Sequence, residues 1–138
     1  MADKVQFELV VPERLFMSRA ADMVVVPGSE GNFGVLPGHA PLVSTLRPEV
    51  LEVHDADKVE EPIFVAGGFA EVTFERCTVL ADGAELVRDL DRASIERAAR
   101  ELEESLAEAK DEAERRTIER GLALARAKLA VIDRQGGR

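Results

Sequence analysis

The chain has 138 residues, a formal net charge of −9 at pH 7 and one cysteine, Cys77. That length allows one ordinary domain or a compact domain with an appendage, and the acidic balance argues against nucleic acid, whose phosphates are met by clustered Lys and Arg. A single cysteine with only His39 and His54 beside it excludes an internal disulfide framework and a zinc site. With no apolar run of about eighteen residues and no leader or transit pattern, a soluble cytosolic protein is expected.

Val5, Phe7, Leu9 and Val11 alternate with Gln6, Glu8 and Val10, the period of a half-buried strand closed by Pro12. Short runs of the same kind follow as MVVVP, PLVSTL, VLEVHD, PIFVAGG, FAEVTFE and CTVLAD, separated by Gly, Pro, Asp and charged turns. This spacing predicts an antiparallel β-sandwich or barrel. In FAEVTFE the period points Ala70, Val72 and Phe74 inward and Glu71, Thr73 and Glu75 outward. Cys77 reads as a small buried hydrophobe in a strand. No strand–helix–strand alternation supports a parallel sheet.

After Asp89 the period becomes helical. Ile95, Ala98, Ala99, Leu102, Leu106, Ala109 and Ala113 form one stripe, and Ile118, Leu122, Ala125, Leu129 and Ile132 a second. Asp89 or Asp91 is placed to cap the first helix. Between Asp91 and Glu112 four basic residues face eight carboxylates, whereas Ala113 to Ile132 carries five basic residues against Glu114 and Glu119. An antiparallel hairpin brings these opposite charges alongside each other. Its turn is unpunctuated: in AKDEAERRT only Asp111 and Thr117 are poor helix formers, so the segment can also run as one long helix. Gly121 is a further soft point, costing about 1 kcal/mol relative to Ala in a helix. The chain therefore divides into residues 1–87, which hold the whole net charge, and residues 88–138, with twelve charges of each sign.

The stretch VVVPGSEGNFGVLPGHAPLV, Val24 to Val43, holds four of the ten glycines and three of the six prolines. It is not a phosphate loop, because no Lys follows Gly31 or Gly34. His39 has no nucleophile and orienting partner near it in sequence, and Ser44 falls in a predicted strand. Glu60 and Glu61 read as ordinary turn charges. What remains is a shaped loop that docks a partner, with glycines supplying positive φ.

The run VPGSEGNFGVLPGHAPLVSTLRP, then FVAGGFAEVTFERCTVLAD and a charged helical tail, resembles the epsilon subunit of bacterial F-type ATP synthase, equivalent to the mitochondrial delta subunit. The similarity spans essentially the whole sequence. It implies an N-terminal antiparallel β-sandwich (1–87) that binds the gamma subunit and the c-ring, and a mobile, regulatory C-terminal two-helix antiparallel hairpin (88–138). The implied role is non-catalytic: coupling proton-driven rotation of the c-ring to ATP synthesis as part of the central stalk, peripheral to the cytoplasmic face of the bacterial inner membrane. The resemblance places Ser29, Glu30, Gly31, Asn32 and Phe33 at the c-ring and Pro37, His39, Ala40 and Pro41 at gamma. Asn32 stands where some relatives carry an acid. Arg115, Arg116, Arg120, Arg126 and Lys128 would face the alpha and beta subunits of the catalytic head when the tail extends to inhibit ATP hydrolysis. Some relatives clamp ATP with an [IL]DxxRA motif; here Leu90 and Asp91 are kept, but Ser94 and Ile95 replace Arg and Ala, so Asp91 is the one polar residue of the motif left and the guanidinium fork is lost. No cofactor, metal or catalytic residue is implied. The rival reading is a free-standing β-sandwich ligand-binding module with a helical dimerisation tail, and an enzyme is third; the absence of Trp and Tyr weakens the rival.

Overall fold

A computed structural model describes residues 4–135. Two compact units divide the chain, Met1–Arg88 and Asp89–Arg138. The first holds β1 (Val5–Val11), β2 (Arg14–Ala21), β3 (Met23–Gly28), β4 (Gly31–Val35), β5 (Leu42–Leu46), β6 (Glu49–Asp55), β7 (Lys58–Val59), β8 (Ile63–Val65), β9 (Gly68–Val72), β10 (Arg76–Ala81) and β11 (Ala84–Leu86). A 3₁₀ turn, Val87–Asp89, leads to α1 (Arg92–Ala107) and α2 (Glu112–Arg134).

The strands pair in the order β11-β8-β6-β3-β5-β9-β10-β1-β2, with β4 added on β3 and β7 on β6. The path is thinnest between β3 and β5, which share one pair, Gly28 opposite Leu46. There the sheet turns over into the second layer of a β-sandwich, as the alternating pattern implied. Inward positions of both layers, among them Phe7, Leu9, Val24, Val53, Val65, Val72 and Val79, merge into one buried cluster. Cys77 lies in it, where burial pushes the thiol up to about 12.

Pairing is antiparallel with one exception. β1 runs parallel to β10, Phe7 opposite Cys77 and Leu9 opposite Val79, and antiparallel to β2 on its other edge. The sequence showed no crossover helix because the long connection between these two strands is itself the rest of the sandwich. β2 carried no readable period, since it is an outer strand with exposed and half-buried residues mixed. Phe74 is corrected: β9 ends at Val72, so the alternation stops there and the ring is 63% exposed.

At the β6–β7 hairpin, Ala56 and Asp57 adopt positive φ of 54° and 63°, conformations that favour Gly or Asn. An ionic network holds this turn. Asp22 accepts from Ala56 N at 2.8 Å, Lys4 bridges Asp22 at 2.7 Å and Asp55 at 2.5 Å, and Arg19 joins Asp55 at 2.8 Å and Glu60 at 2.9 Å. Hydrogen bonding to Asp22 and then Asp55 raises the Lys4 pKa, and the same Lys4 bond leads in lowering that of Asp22.

In the second unit the helices pair as a hairpin, but their boundary differs from the stripe. α1 stops at Ala107, leaving Ala109 in the turn and placing Ala113 in the first turn of α2. The break is set by Asp111, whose side chain accepts from Glu114 N at 2.8 Å as the cap of α2. Asp91 occupies the N-cap position of α1 but makes no side-chain bond to it, and Asp89 belongs to the 3₁₀ turn. The α2 stripe buries Ile118, Leu122, Ala125 and Ile132 together with Val131, whereas α1 buries no residue and Ala98 is exposed. Gly121 packs against α1: a Cβ there would sit 3.2 Å from Leu102 Cδ1.

Candidate docking surfaces

The stretch from Ser29 to Phe33 is a β-hairpin tip rather than an irregular loop. β3 and β4 pair Val26 with Phe33, Pro27 with Asn32 and Gly28 with Gly31, leaving Ser29 and Glu30 as the two-residue turn. Gly28 is crowded, since a Cβ would lie 2.9 Å from both Gly31 O and Phe33 Cε1. Gly31 has φ +136°. The turn therefore depends on both glycines.

Arg47, which the sequence did not single out, fastens this tip. Its amide donates to Pro27 O at 3.0 Å, its guanidinium donates to Gly28 O at 2.6 Å and to Asn32 Oδ1 at 2.7 Å. Ser29 adds a bond from its amide to Thr45 O at 2.9 Å and a hydroxyl contact with Thr45 Oγ1. Asn32 is thus occupied within the protein, while Glu30 stands exposed at the turn. A guanidinium bonded to a carbonyl and an amide oxygen in this way holds the hairpin tip to the β5–β6 connection.

Pro37, His39, Ala40 and Pro41 lie in the connection from β4 to β5, at the other end of those strands. β4 has five residues, so its ends, Gly31 on the side of the tip and Val35 on the side of this connection, lie about 13 Å apart at roughly 3.3 Å per residue. Here Gly38, with φ +82°, donates to Phe74 O at 3.1 Å, and the Phe74 ring backs it. His39 N donates to Leu36 O at 3.1 Å, and its Nδ1–H donates to Ala40 O at 2.7 Å. Leu36 is 56% exposed, so with Phe74 it gives this turn an apolar surface.

A second apolar feature crosses the outer face of the layer formed by β9, β10, β1 and β2. Phe69 pairs with Leu80, Leu80 with Val10 and Val10 with Leu15, and Phe69, Leu80 and Leu15 are exposed large hydrophobics. The signal was present in the sequence: Phe69 shares the outward phase of Glu71, and Leu80 that of Thr78. Apolar side chains on a polar phase mark a surface patch. Beside this row, Val10, Pro12, Gly68, Phe69, Leu80 and Asp82 line a shallow groove of about 310 Å³.

In the helical unit, Arg115 pairs with Glu112 at 3.5 Å and Arg126 with Glu103 at 3.5 Å. Arg116 and Arg120 are exposed, and Lys128 is half-buried. Glu103–Arg126 follows the acidic-against-basic pairing expected of the hairpin, whereas Arg92–Asp133, at 2.5 Å, has the reverse polarity. Asp91 is exposed. Among the described residues no group of three or more His, Cys, Asp and Glu could hold a metal ion, and no helix is long and apolar enough to cross a membrane.

These features define a class: a β-sandwich with shaped hairpin ends, joined to an α-helical hairpin. Residues 4–87 match the family model for the β-sandwich domain of the ATP synthase delta/epsilon subunits, and residues 91–138 match that for the C-terminal domain of the ATP synthase epsilon subunit. The protein belongs to the ATP synthase epsilon chain family. It is 49% identical over 140 residues to the ATP synthase epsilon chain of Rhodospirillum centenum, covering 98% of this sequence and 96% of that one. The corresponding protein of Rhodospirillum rubrum is 48% identical over 130 residues, covering 94% and 97%. Among solved structures, one of the Euglena gracilis mitochondrial ATP synthase, comprising OSCP, F1 and c-ring, has a subunit of the same fold, with TM-score 0.79 at 23% identity, covering 96% of this sequence and 83% of that one. A subunit of the Tetrahymena thermophila mitochondrial ATP synthase central stalk and c-ring aligns with TM-score 0.54 at 12% identity, covering 75% and 92%.

Proposed function

We propose that this protein is a non-catalytic rotor subunit of the central stalk, coupling proton-driven rotation of the c-ring to ATP synthesis in the catalytic head. The observation that carries the reading is the placement of two shaped turns at opposite ends of β4, built on one packed sandwich. The tip Ser29–Phe33 meets the c-ring, with Glu30 offered to a basic loop. The turn of Pro37, His39, Ala40 and Pro41, enlarged by Leu36 and Phe74, meets gamma, and the row of Phe69, Leu80, Val10 and Leu15 adds apolar area for the same partner. Torque passing between two partners requires a body that does not shear, which the Arg47 tie and the continuous core supply.

The helical unit is the regulatory part. Arg115, Arg116, Arg120, Arg126 and Lys128 are the contacts to the alpha and beta subunits when the tail extends, and the pool of ATP does not govern that step, because the phosphate clamp lacks its Arg. The subunit works peripherally on the cytoplasmic face of the bacterial inner membrane.

Reconstitution with gamma and the c-ring tests this. Phe74→Ser is expected to weaken gamma capture about tenfold with c-ring capture unchanged, and Glu30→Lys the reverse. Failure of the unaltered protein to bind gamma would sink the proposal. Removal of residues after Val87 is expected to leave assembly intact and raise ATP hydrolysis; unchanged hydrolysis would remove the regulatory role of the tail.

A further inference from the structure

The two helices differ in how their ends are completed. α2 completes itself: Asp111 caps it, Glu112 and Glu114 lie in its first turn and Arg134 in its last. These are the signs that the helix dipole favours. α1 has no acidic residue in its first turn, and its N-cap Asp91 makes no side-chain bond to it. Its first residue is instead Arg92, a cation at the positive end of the dipole. Asp133, near the C-terminus of α2, is likewise at the wrong end of its own helix.

Antiparallel packing resolves both mismatches. It brings the start of α1 beside the end of α2, where Arg92 Nη2 donates to Asp133 Oδ1 at 2.5 Å. The carboxylate of α2 then stands at the positive end of α1, and the guanidinium of α1 at the negative end of α2. We propose that Arg92 and Asp133 form an ionic latch that completes the start of α1 only while the hairpin is closed, so that opening the hairpin frays α1 at its first turn. Glu96 lies 3.8 Å from Arg92 on the same helix and receives the guanidinium when Asp133 leaves, which keeps the latch weak enough to release. Its regulatory meaning rests on the proposed role of the tail; its existence does not.

The test uses the full-length protein with spin labels on Ser94→Cys and Ala130→Cys, both exposed positions, since the buried native Cys77 thiol does not compete for label. Asp133→Arg is expected to enlarge the long-distance population about two- to fivefold, the range for an exposed ion pair, and to speed exchange by a similar factor at the Ile95 amide, which donates to Asp91 O at 3.0 Å in the first turn of α1. Arg92→Asp is expected to lengthen the distance equally without faster exchange, because it gives α1 a first-turn acid of its own. A general loss of folding would move both readouts in Arg92→Asp as well. The double reversal is expected to restore the short distance. Single reversals that leave both readouts unchanged, or a double reversal that keeps the long population, would overturn the latch. Hydrolysis by the assembled complex separates the two ideas. If distances respond but hydrolysis ignores both the reversals and loss of the tail, the regulatory reading falls and the latch stands. If hydrolysis responds to loss of the tail while distances ignore the reversals, the latch falls alone.

Discussion

The strand unit gathers eighteen buried apolar residues into one cluster, whereas α1 buries none and α2 five. The first unit is held by long-range packing of that cluster. The hairpin is held by a cap, ion pairs that include Glu103–Arg126 and Arg92–Asp133, and a seam buried mainly on the α2 side. A sandwich closed around a deep core and a hairpin closed along one helix face thus meet in one protein, and the difference is written in where the large side chains go. The outward face of the sandwich carries a row of large exposed hydrophobics in Phe69, Leu80 and Leu15, whereas most alanines of the hairpin are exposed and Ala125 is buried in its seam.

Substitutions of graded strength test that contrast. The largest effect is expected from Phe7→Ala, which removes a fully buried ring and destabilises the strand unit by about 4 kcal/mol. Urea unfolding followed by amide exchange should show the loss in β1, β2 and β10 but not in α2; equal loss in both units would break the contrast. Next, Asp111→Ala deletes the cap of α2 and is expected to cost about 1 kcal/mol, read as faster exchange at the Glu114 amide. Gly121→Ala sharpens the comparison from the other side. It gains about 1 kcal/mol of helix propensity, and the atom it meets, Leu102 Cδ1, is the end of a half-buried side chain that can turn aside. A net gain of about 0.5 kcal/mol is expected, measured as a raised hairpin melting temperature; the same step at Gly68, where a Cβ would lie 2.1 Å from Leu80 O, should destroy the sandwich.

The smallest effect is pH dependence at the β6–β7 hairpin. The Asp22 pKa is lowered from its ordinary 3.8, chiefly by its bond with Lys4, so its contribution is present above that value and is lost as pH falls through the lowered one. The Lys4 pKa is raised above 10.5 by Asp22 and then Asp55, so its contribution is present below 10.5 and fades as pH rises beyond it. Asp22→Asn is expected to flatten the acid limb of the stability profile slightly, checked by thermal unfolding at pH 3 and pH 7.

Where one face of a strand is buried and the other wet, the sequence was readable: Val5–Val11 shows the alternation that its burial follows residue by residue. β8 hides its period because all three residues are buried, β2 because it is an edge, and β4 because glycines and an asparagine fill it. The glycine-rich stretch could be read as shaped but not as a hairpin, since its pairing depends on Thr45 and Arg47 from further along the sequence. Phe74 was misplaced because alternation carries no mark for where a strand stops. The helix break went unplaced for a related reason: Asp111 is one weak residue among helix formers, and it becomes decisive only when its side chain finds the Glu114 amide.

The parallel pairing of β1 with β10 also sets an order of events during synthesis. β1 is made first, yet one of its two edges is filled by residues Arg76–Ala81. At the roughly 5–20 residues per second of translation, about 4–14 s pass before that strand exists. Throughout that interval a strand with four side chains destined for the core has an open edge, and the sandwich cannot close until nearly the whole first unit has been made. The hairpin, with its local contacts, emerges after the first unit and is among the quickest segments to form.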